Sequence, residues 1–363
     1  MDFKKFYRVV VPLAILIVLF SGCVSSPEEV VEEVVTEMED VSGTEAPLPV
    51  PTEENVVAAP VENANGTVGE EVGEFEDSGE IDDAGTGELP YTTRSLSDAD
   101  GQDETIRVGA FNIQVFGVTK ASKPEVMDVL ARIIRSYDVV AVQEIRDSSQ
   151  TALPQLVELV NSEGASYEYV VSERLGRTTS KEQYAYVYDS SRLRVAGEPH
   201  TYPEPEGTDP FHRQPYIAGF EIKDENFSFV LLTIHTDPDE AEEEINSLDE
   251  AVEYARNAYP GEDDFILMGD LNADGSYYDE DAAGDLSGPE YNWLINNSVD
   301  TTTKATDYTY DRIIVSEGAE SLFTGDAGVF RYDLAYNLSY DETTAVSDHY
   351  PVYAEFLSYG DEF

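Results

Sequence analysis

The chain has 363 residues, 41% of them hydrophobic, which suffices for one large domain with appendages. Its 75 acidic residues against 21 basic ones leave a net charge of -54, and such a surface repels nucleic acid in dilute buffer, so composition taken alone argues against an enzyme acting on DNA. The objection weakens in strong salt, where the Debye length falls to roughly 3 Å at 1 M, and an acidic, lysine-poor surface is what a salty habitat leads one to expect.

The N-terminus carries Lys4, Lys5 and Arg8, then the apolar run Val9 to Phe20, then Ser21-Gly22-Cys23. That run falls short of the about 20 residues a bilayer span needs, and it suits the core of a signal peptide closed by small residues. Leu19-Phe20-Ser21-Gly22-Cys23 resembles a prokaryotic lipobox, and Cys23 is the only cysteine, so lipidation there is expected and no intramolecular disulfide can form. Residues 1–23 are therefore read as a lipoprotein signal peptide, and the protein is expected at the extracellular face of the cell membrane, held by its lipid. Residues 24–104 are rich in Glu, Asp, Val, Gly, Pro, Ser and Thr with Arg94 as the one basic residue, a composition that predicts a disordered acidic tether.

From residue 105 to 363 a single catalytic domain is expected, and its elements follow in order. Ile106 to Ile113 reads as a strand, Pro124 to Tyr137 as an amphipathic helix with Pro near its start, and Asp138 to Val142 as a buried strand. Helices are predicted at Thr151 to Asn161 and Glu240 to Ala258. Further strands are predicted near Tyr167 to Val171, Tyr184 to Tyr188, Ile217 to Ile222, Phe227 to Ile234, Phe265 to Gly269, Arg312 to Val315 and Val352 to Phe356. Strands outnumber helices and several follow one another directly, which favours two face-to-face sheets with helices outside.

Polar residues interrupt this pattern at strand ends: Asn112, Gln143-Glu144, His235, Asp270-Leu271-Asn272, Asp311 and Ser347-Asp348-His349. Carboxylates, carboxamides and imidazoles gathered at strand ends make a polar mouth able to hold a hard cation and a phosphate. Each cluster alone reads as an ordinary turn; their succession along the chain resembles the endonuclease/exonuclease/phosphatase superfamily. Phe111-Asn112-Ile113, Gln143-Glu144-Ile145-Arg146-Asp147-Ser148, Glu244-Ile245-Asn246-Ser247-Leu248, Met268-Gly269-Asp270, Tyr310-Asp311-Arg312-Ile313 and Ser347-Asp348-His349-Tyr350-Pro351-Val352 narrow it to the deoxyribonuclease I-like branch.

That resemblance implies a four-layer sandwich of two packed mixed β-sheets flanked by helices. It implies a metal-dependent endonuclease acting on DNA and leaving 5′-phosphates. Glu144, with Asn112 beside it, would hold Mg²⁺ or Mn²⁺; His349 would be the general base, with Glu182 as its partner, and His235, paired with Asp311, the general acid. Asp270 and Asn272 would position water, phosphate or a second ion, Asp348 would support the metal or His349, and Arg146 and Arg213 would contact the DNA backbone, the alternative for each being a surface salt bridge. Asp300, Thr302 and Thr306 resemble a calcium-binding loop, with Lys304 where another ligand would stand. His200 and His212 fall off the motif and read as loop residues.

The chain also departs from the family. Gln114, Thr178 and Ser180 replace residues that contact DNA, and Gly275 with Tyr308 stand where secreted animal relatives carry a disulfide, so those loops need another staple. Substrate DNA and the membrane are the expected partners, with no protein partner and a monomeric state. The competing readings are a phosphodiesterase or phosphatase of the same superfamily acting on lipid headgroups or nucleotides, and a non-catalytic surface binding module.

Overall fold

The computed structural model describes residues 104–359 apart from 226 and 281–283. The expected signal peptide, Cys23 and the acidic tether lie outside the described residues.

Twelve strands among the described residues form two six-stranded sheets. In the first, β11 (Phe323–Val329), β12 (Val352–Leu357), β1 (Thr105–Phe116), β2 (Val139–Ile145), β4 (Gln183–Asp189) and β3 (Tyr167–Val171) lie side by side in that order. The second runs β5 (Leu193–Thr201), β6 (Tyr216–Ile222), β7 (Ser228–His235), β8 (Phe265–Asp270), β10 (Asp311–Ser316), β9 (Tyr291–Trp293). Each sheet is mixed, because β1 pairs in parallel with β2, and β7 with β8, while their other neighbours are antiparallel.

Parallel neighbours need a crossover, and helices supply it. Between β1 and β2 run α1 (Val118–Ala121) and α2 (Pro124–Ile134); α3 (Ala152–Asn161) follows β2. Between β7 and β8 run α4 (Ala241–Asn246) and α5 (Leu248–Ala258). Side chains alternate across the central strands: Ile106, Val108 and Ala110 of β1 join Ile266 and Met268 of β8 in the core between the sheets. Phe111 and Ile113 instead face α2 and α3, and Phe265 and Leu267 face α5. Three apolar clusters thus separate four layers, which is why the central strands are apolar on both faces.

Several expected bounds shift. The single helix expected over Glu240 to Ala258 is broken at Ser247, whose hydroxyl turns back to the Glu243 carbonyl at 2.8 Å. α2 ends at Ile134 rather than Tyr137, since Ser136 bonds back to Ile133. β5, β9 and β11 lack an apolar period because they lie near or at sheet edges, with Leu193 the only buried residue of β5. His200 lies on β5 rather than in a loop, its ring near Tyr254 and Tyr259. Also unforeseen were α6 (Glu317–Leu322), α7 (Tyr332–Tyr336) and α8 (Tyr340–Val346).

Candidate active site

The carboxyl ends of the two parallel pairs point to one place, and the polar residues stand there. In the second sheet the register sets His235 of β7 opposite Asp270 of β8, and Asp270 opposite Asp311 of β10. β7 and β8 come close because residue 269 is glycine: a Cβ there would meet the Ile234 carbonyl oxygen at 2.0 Å, at a φ of 145°. In the first sheet, Asn112 of β1 stands opposite Gln143 of β2. β2 then bulges, slipping its register against both neighbours, and Glu144 takes a left-handed φ of 59°. A bulge of this kind re-aims a side chain, here the Glu144 carboxylate. Gln114, Val115 and Asn272 are left-handed as well, at φ 36°, 50° and 48°. Strained backbone of this sort costs of order 1–3 kcal/mol per residue and persists where surrounding contacts enforce it. Here Asn112 Oδ1 accepts from the Gln114 N–H at 2.8 Å and Glu144 Oε2 from the Val115 N–H at 2.7 Å.

The two imidazoles are mounted alike. His235 Nδ1 meets Glu182 Oε1 at 2.8 Å, and His349 Nδ1 meets Asp311 Oδ2 at 2.8 Å. This exchanges the partners expected from the sequence, which put Asp311 behind His235 and Glu182 behind His349. The reason is position: the buried Glu182 leads into β4, while His349 is bridged to Thr302 and approaches the start of β10. The two Nε2 atoms converge on one atom, Asp270 Oδ2, at 3.6 Å for His235 and 3.5 Å for His349. Burial disfavours the charged rings, yet Glu182 and then Asp270 hold the proton affinity of His235 above the usual value. For His349, Asp311 and Asp270 overcome the same burial penalty and lift its pKa to about 10. Burial would raise the Asp270 carboxyl, but the two rings keep it below the ordinary range.

Asn112 donates from Nδ2 to Asp270 Oδ2 at 2.9 Å and to Glu144 Oε1 at 3.3 Å. With its oxygen on Gln114 and its nitrogen toward the carboxylates, it orients Glu144 and Asp270 instead of offering the oxygen ligand expected of it. Asn272 is tied by Nδ2 to the Thr236 carbonyl at 3.1 Å, beside Asp270. Asp348 Oδ1 lies 3.9 Å from His349 Nε2, and its other oxygen meets Lys304 Nζ at 2.9 Å. Arg146 stands at the rim, Nε 3.2 Å from Glu144 and 3.6 Å from Glu182. Arg213 departs from expectation: it is buried, 3.0 Å from Glu182 and bonded to the carbonyls of His235 and Thr236, so it braces the His235 pair instead of reaching outward. Asp300, Thr302 and Thr306 do share one loop, where Asp300 Oδ1 accepts from the Thr302 N–H and hydroxyl, both at 2.9 Å. His212 lies in a loop, as expected, 3.2 Å from Asp237.

Three supporting residues have no role assigned from the sequence, although Ser347 and Glu244 stand in motifs named above. Ser347 donates to the Asn112 carbonyl at 2.6 Å, joining the His349 segment to β1. Lys120 is buried, its ammonium on the carbonyls of Ile113 and Val346, both at 2.8 Å. Glu244, wholly buried, accepts from the N–H groups of His212 at 3.0 Å and Asp237 at 3.3 Å, and burial lifts its pKa to about 7. Neither Lys120 nor Glu244 carries a signal of burial in the sequence, since Lys120 stands in a mixed polar stretch and Glu244 closes the acidic run Glu242-Glu243-Glu244, which reads as a solvated face.

The donor chemistry fits a hard divalent cation. Among the described residues, Asp270, Asp311 and His349 bring ligand atoms within 4.8 Å of one another, and Asp311 Oδ1 is buried without a hydrogen-bond partner. Glu144 joins this group through the shared Asn112 amide. Oxygen-rich sets of this kind suit Mg²⁺ or Mn²⁺.

Comparison with known proteins agrees with this geometry. A family model described as the Endonuclease/Exonuclease/phosphatase family matches residues 109–349. The chain is 37% identical over 262 residues to deoxyribonuclease gamma of Mus musculus, covering 68% of this chain and 83% of that one. It is 35% identical over 258 residues to deoxyribonuclease-1 of Oryctolagus cuniculus, covering 68% and 91% respectively. A crystal structure of an endonuclease/exonuclease/phosphatase family protein from Bacteroides thetaiotaomicron superposes with a TM-score of 0.49 at 17% identity, covering 71% of this chain and 98% of that one.

Proposed function

The chain belongs to the endonuclease/exonuclease/phosphatase family, as a deoxyribonuclease I-like phosphodiester hydrolase, and from that premise we propose that it is a divalent-metal-dependent endonuclease that cuts DNA to 5′-phosphate ends. One observation carries the reading: two imidazoles, each backed by its own carboxylate on Nδ1, turn Nε2 toward the same oxygen of Asp270. A binding module has no use for two proton carriers facing one point, whereas in-line displacement at phosphorus needs a base on one side and an acid on the other.

His349 would take the proton from the attacking water when a cation held by Asp270 and Asp311 offsets the negative charge that otherwise keeps its ring protonated, and His235, kept charged by Glu182, returns one to the leaving 3′ oxygen. The carboxylate behind each ring serves both roles, since it strengthens a base and keeps a donor charged. Glu144, Asp270 and Asp311 would hold Mg²⁺ or Mn²⁺, which when bound offsets charge on a non-bridging phosphate oxygen. Asn112 keeps the carboxylates aimed, Asn272 and Asp348 border the phosphate position, and Arg146 offers its rim guanidinium to the DNA backbone. The N-terminal pattern ending at Cys23 supports a secreted, lipid-anchored enzyme acting outside the cell.

Incubating supercoiled plasmid with Mg²⁺, Mn²⁺ or a chelator tests the reading. Nicking that needs the metal, stops with chelator and leaves ends that a ligase joins directly is the expected result. Hydrolysis of lipid phosphodiesters with intact plasmid would move the enzyme to another branch of its family.

A further inference from the structure

Three tyrosines beside the site belong to none of the three apolar clusters of the domain. Tyr310 precedes Asp311, and its ring centre lies 6.3 Å from that of His349. Tyr308 stacks on Tyr310 at 5.0 Å with an interplanar angle of 12°, and Tyr277 lies against Tyr310 at 5.8 Å. Tyr277 is exposed, and the other two are half-buried. From the catalytic imidazole outward there runs a row of rings outside the apolar clusters, of which Tyr308 also covers Gly275.

The first sheet contributes one exposed apolar side chain near Glu144. Val115 is 55% exposed although its N–H is fixed on Glu144 and its backbone is left-handed, an unfavourable setting for a β-branched residue. Most cations nearby are engaged, Arg213 on Glu182, Lys304 on Asp348, and Arg177 on Asp209 and Glu240, which leaves Arg146 at the rim and the exposed Lys181 to meet phosphate. Duplex DNA is held mainly through its phosphates by free Lys and Arg, and its bases are already stacked inside the helix. Unpaired bases are held by aromatic faces, with little need of sequence or dense positive charge.

Resting on the nuclease reading, we infer that the substrate is single-stranded DNA, with an unpaired base beside the scissile phosphate stacking on the wall of Tyr308, Tyr310 and Tyr277 and the sugar or base on the other side lying against Val115.

The test compares kcat/KM of the full chain on a short single strand, on the matching duplex, and on the single strand with abasic sites flanking the cut. Single strand should exceed duplex by about tenfold or more, and abasic flanks should cost about tenfold. Tyr308→Leu keeps an apolar side chain over Gly275, and Tyr277→Leu alters a ring outside the core, so the second variant covers a folding failure of the first. Each should lower kcat/KM on the single strand while hydrolysis of a small nitrophenyl phosphodiester stays unchanged. A duplex cut as well as or better than the strand, or a folded pair of variants with unaltered single-strand cleavage, overturns the inference and leaves the nuclease reading standing. If no DNA of either form is cut, the nuclease reading itself fails.

Discussion

At the scale of single residues, the partners of the two imidazoles determine how damage should spread. Removing either ring should cost about 10²–10⁴-fold in turnover. A nitrophenyl phosphodiester has a leaving group that needs little protonation, so His235→Ala should be partly rescued on it and His349→Ala should not. Since Glu182 stands behind His235 and Asp311 behind His349, each 2.8 Å away, Glu182→Gln should share the rescue and Asp311→Asn should not. Comparing each variant on plasmid and on the nitrophenyl diester reads this out. Rescue of Asp311→Asn would mean that the acid and base assignments are reversed.

At the scale of elements, the connection from β2 to α3 rests on Asp147. Its Oδ2 accepts from the N–H groups of Thr151 at 2.6 Å and Ala152 at 2.8 Å, and its Oδ1 from that of Ser149 at 2.8 Å, which satisfies the exposed donors at the helix start. Burial pushes the carboxyl up, but the Ser149 hydroxyl and these N–H groups outweigh it and hold the group well below the usual carboxylate range. A carboxyl with a depressed folded pKa adds stability that is complete above the unfolded value of about 3.9 and is lost as pH falls through the folded one. Asp147→Asn should therefore cost about 1–2 kcal/mol at neutral pH, and the gap to the parent should shrink below about pH 4. Denaturant melts at both pH values measure it, and a gap that does not narrow in acid would assign the effect to packing. Nearby, the staple that replaces a disulfide is also visible: the Tyr308 ring covers Gly275, where a Cβ would come within 2.9 Å of it, and Asp274 accepts from the Thr309 N–H at 2.6 Å.

At the scale of the whole molecule, a net charge of -54 opposes the approach of any polyanion. For a basic protein, added salt only weakens DNA binding, because counterions released into a more concentrated solution gain less entropy. Here the same salt also screens a general repulsion. Activity on DNA should rise with salt from low ionic strength before it falls, with its maximum well above the dilute range. A steady decline from the lowest salt would show that local contacts at the site outweigh the field of the surface, and would remove the main reason to expect a salty habitat.

What the sequence determined by itself was the local part of this protein. Continuous apolar runs placed the central strands, whose side chains are buried on both faces, and the succession of polar residues at strand ends, through its resemblance to the family, named His235, Asp270, Asp311 and His349 as a group. Edge strands such as β5 escaped, because an edge needs no apolar period. Only the tertiary structure decided which carboxylate backs which imidazole, that Arg213 turns inward, that Asn112 aims its nitrogen at the carboxylates, and that three tyrosines line up beside His349. The physical reason is common to all four: each depends on strand register, on a bulge, or on which loops meet across the mouth of two packed sheets. Those are relations between segments far apart in the chain, which periodicity within a segment does not encode.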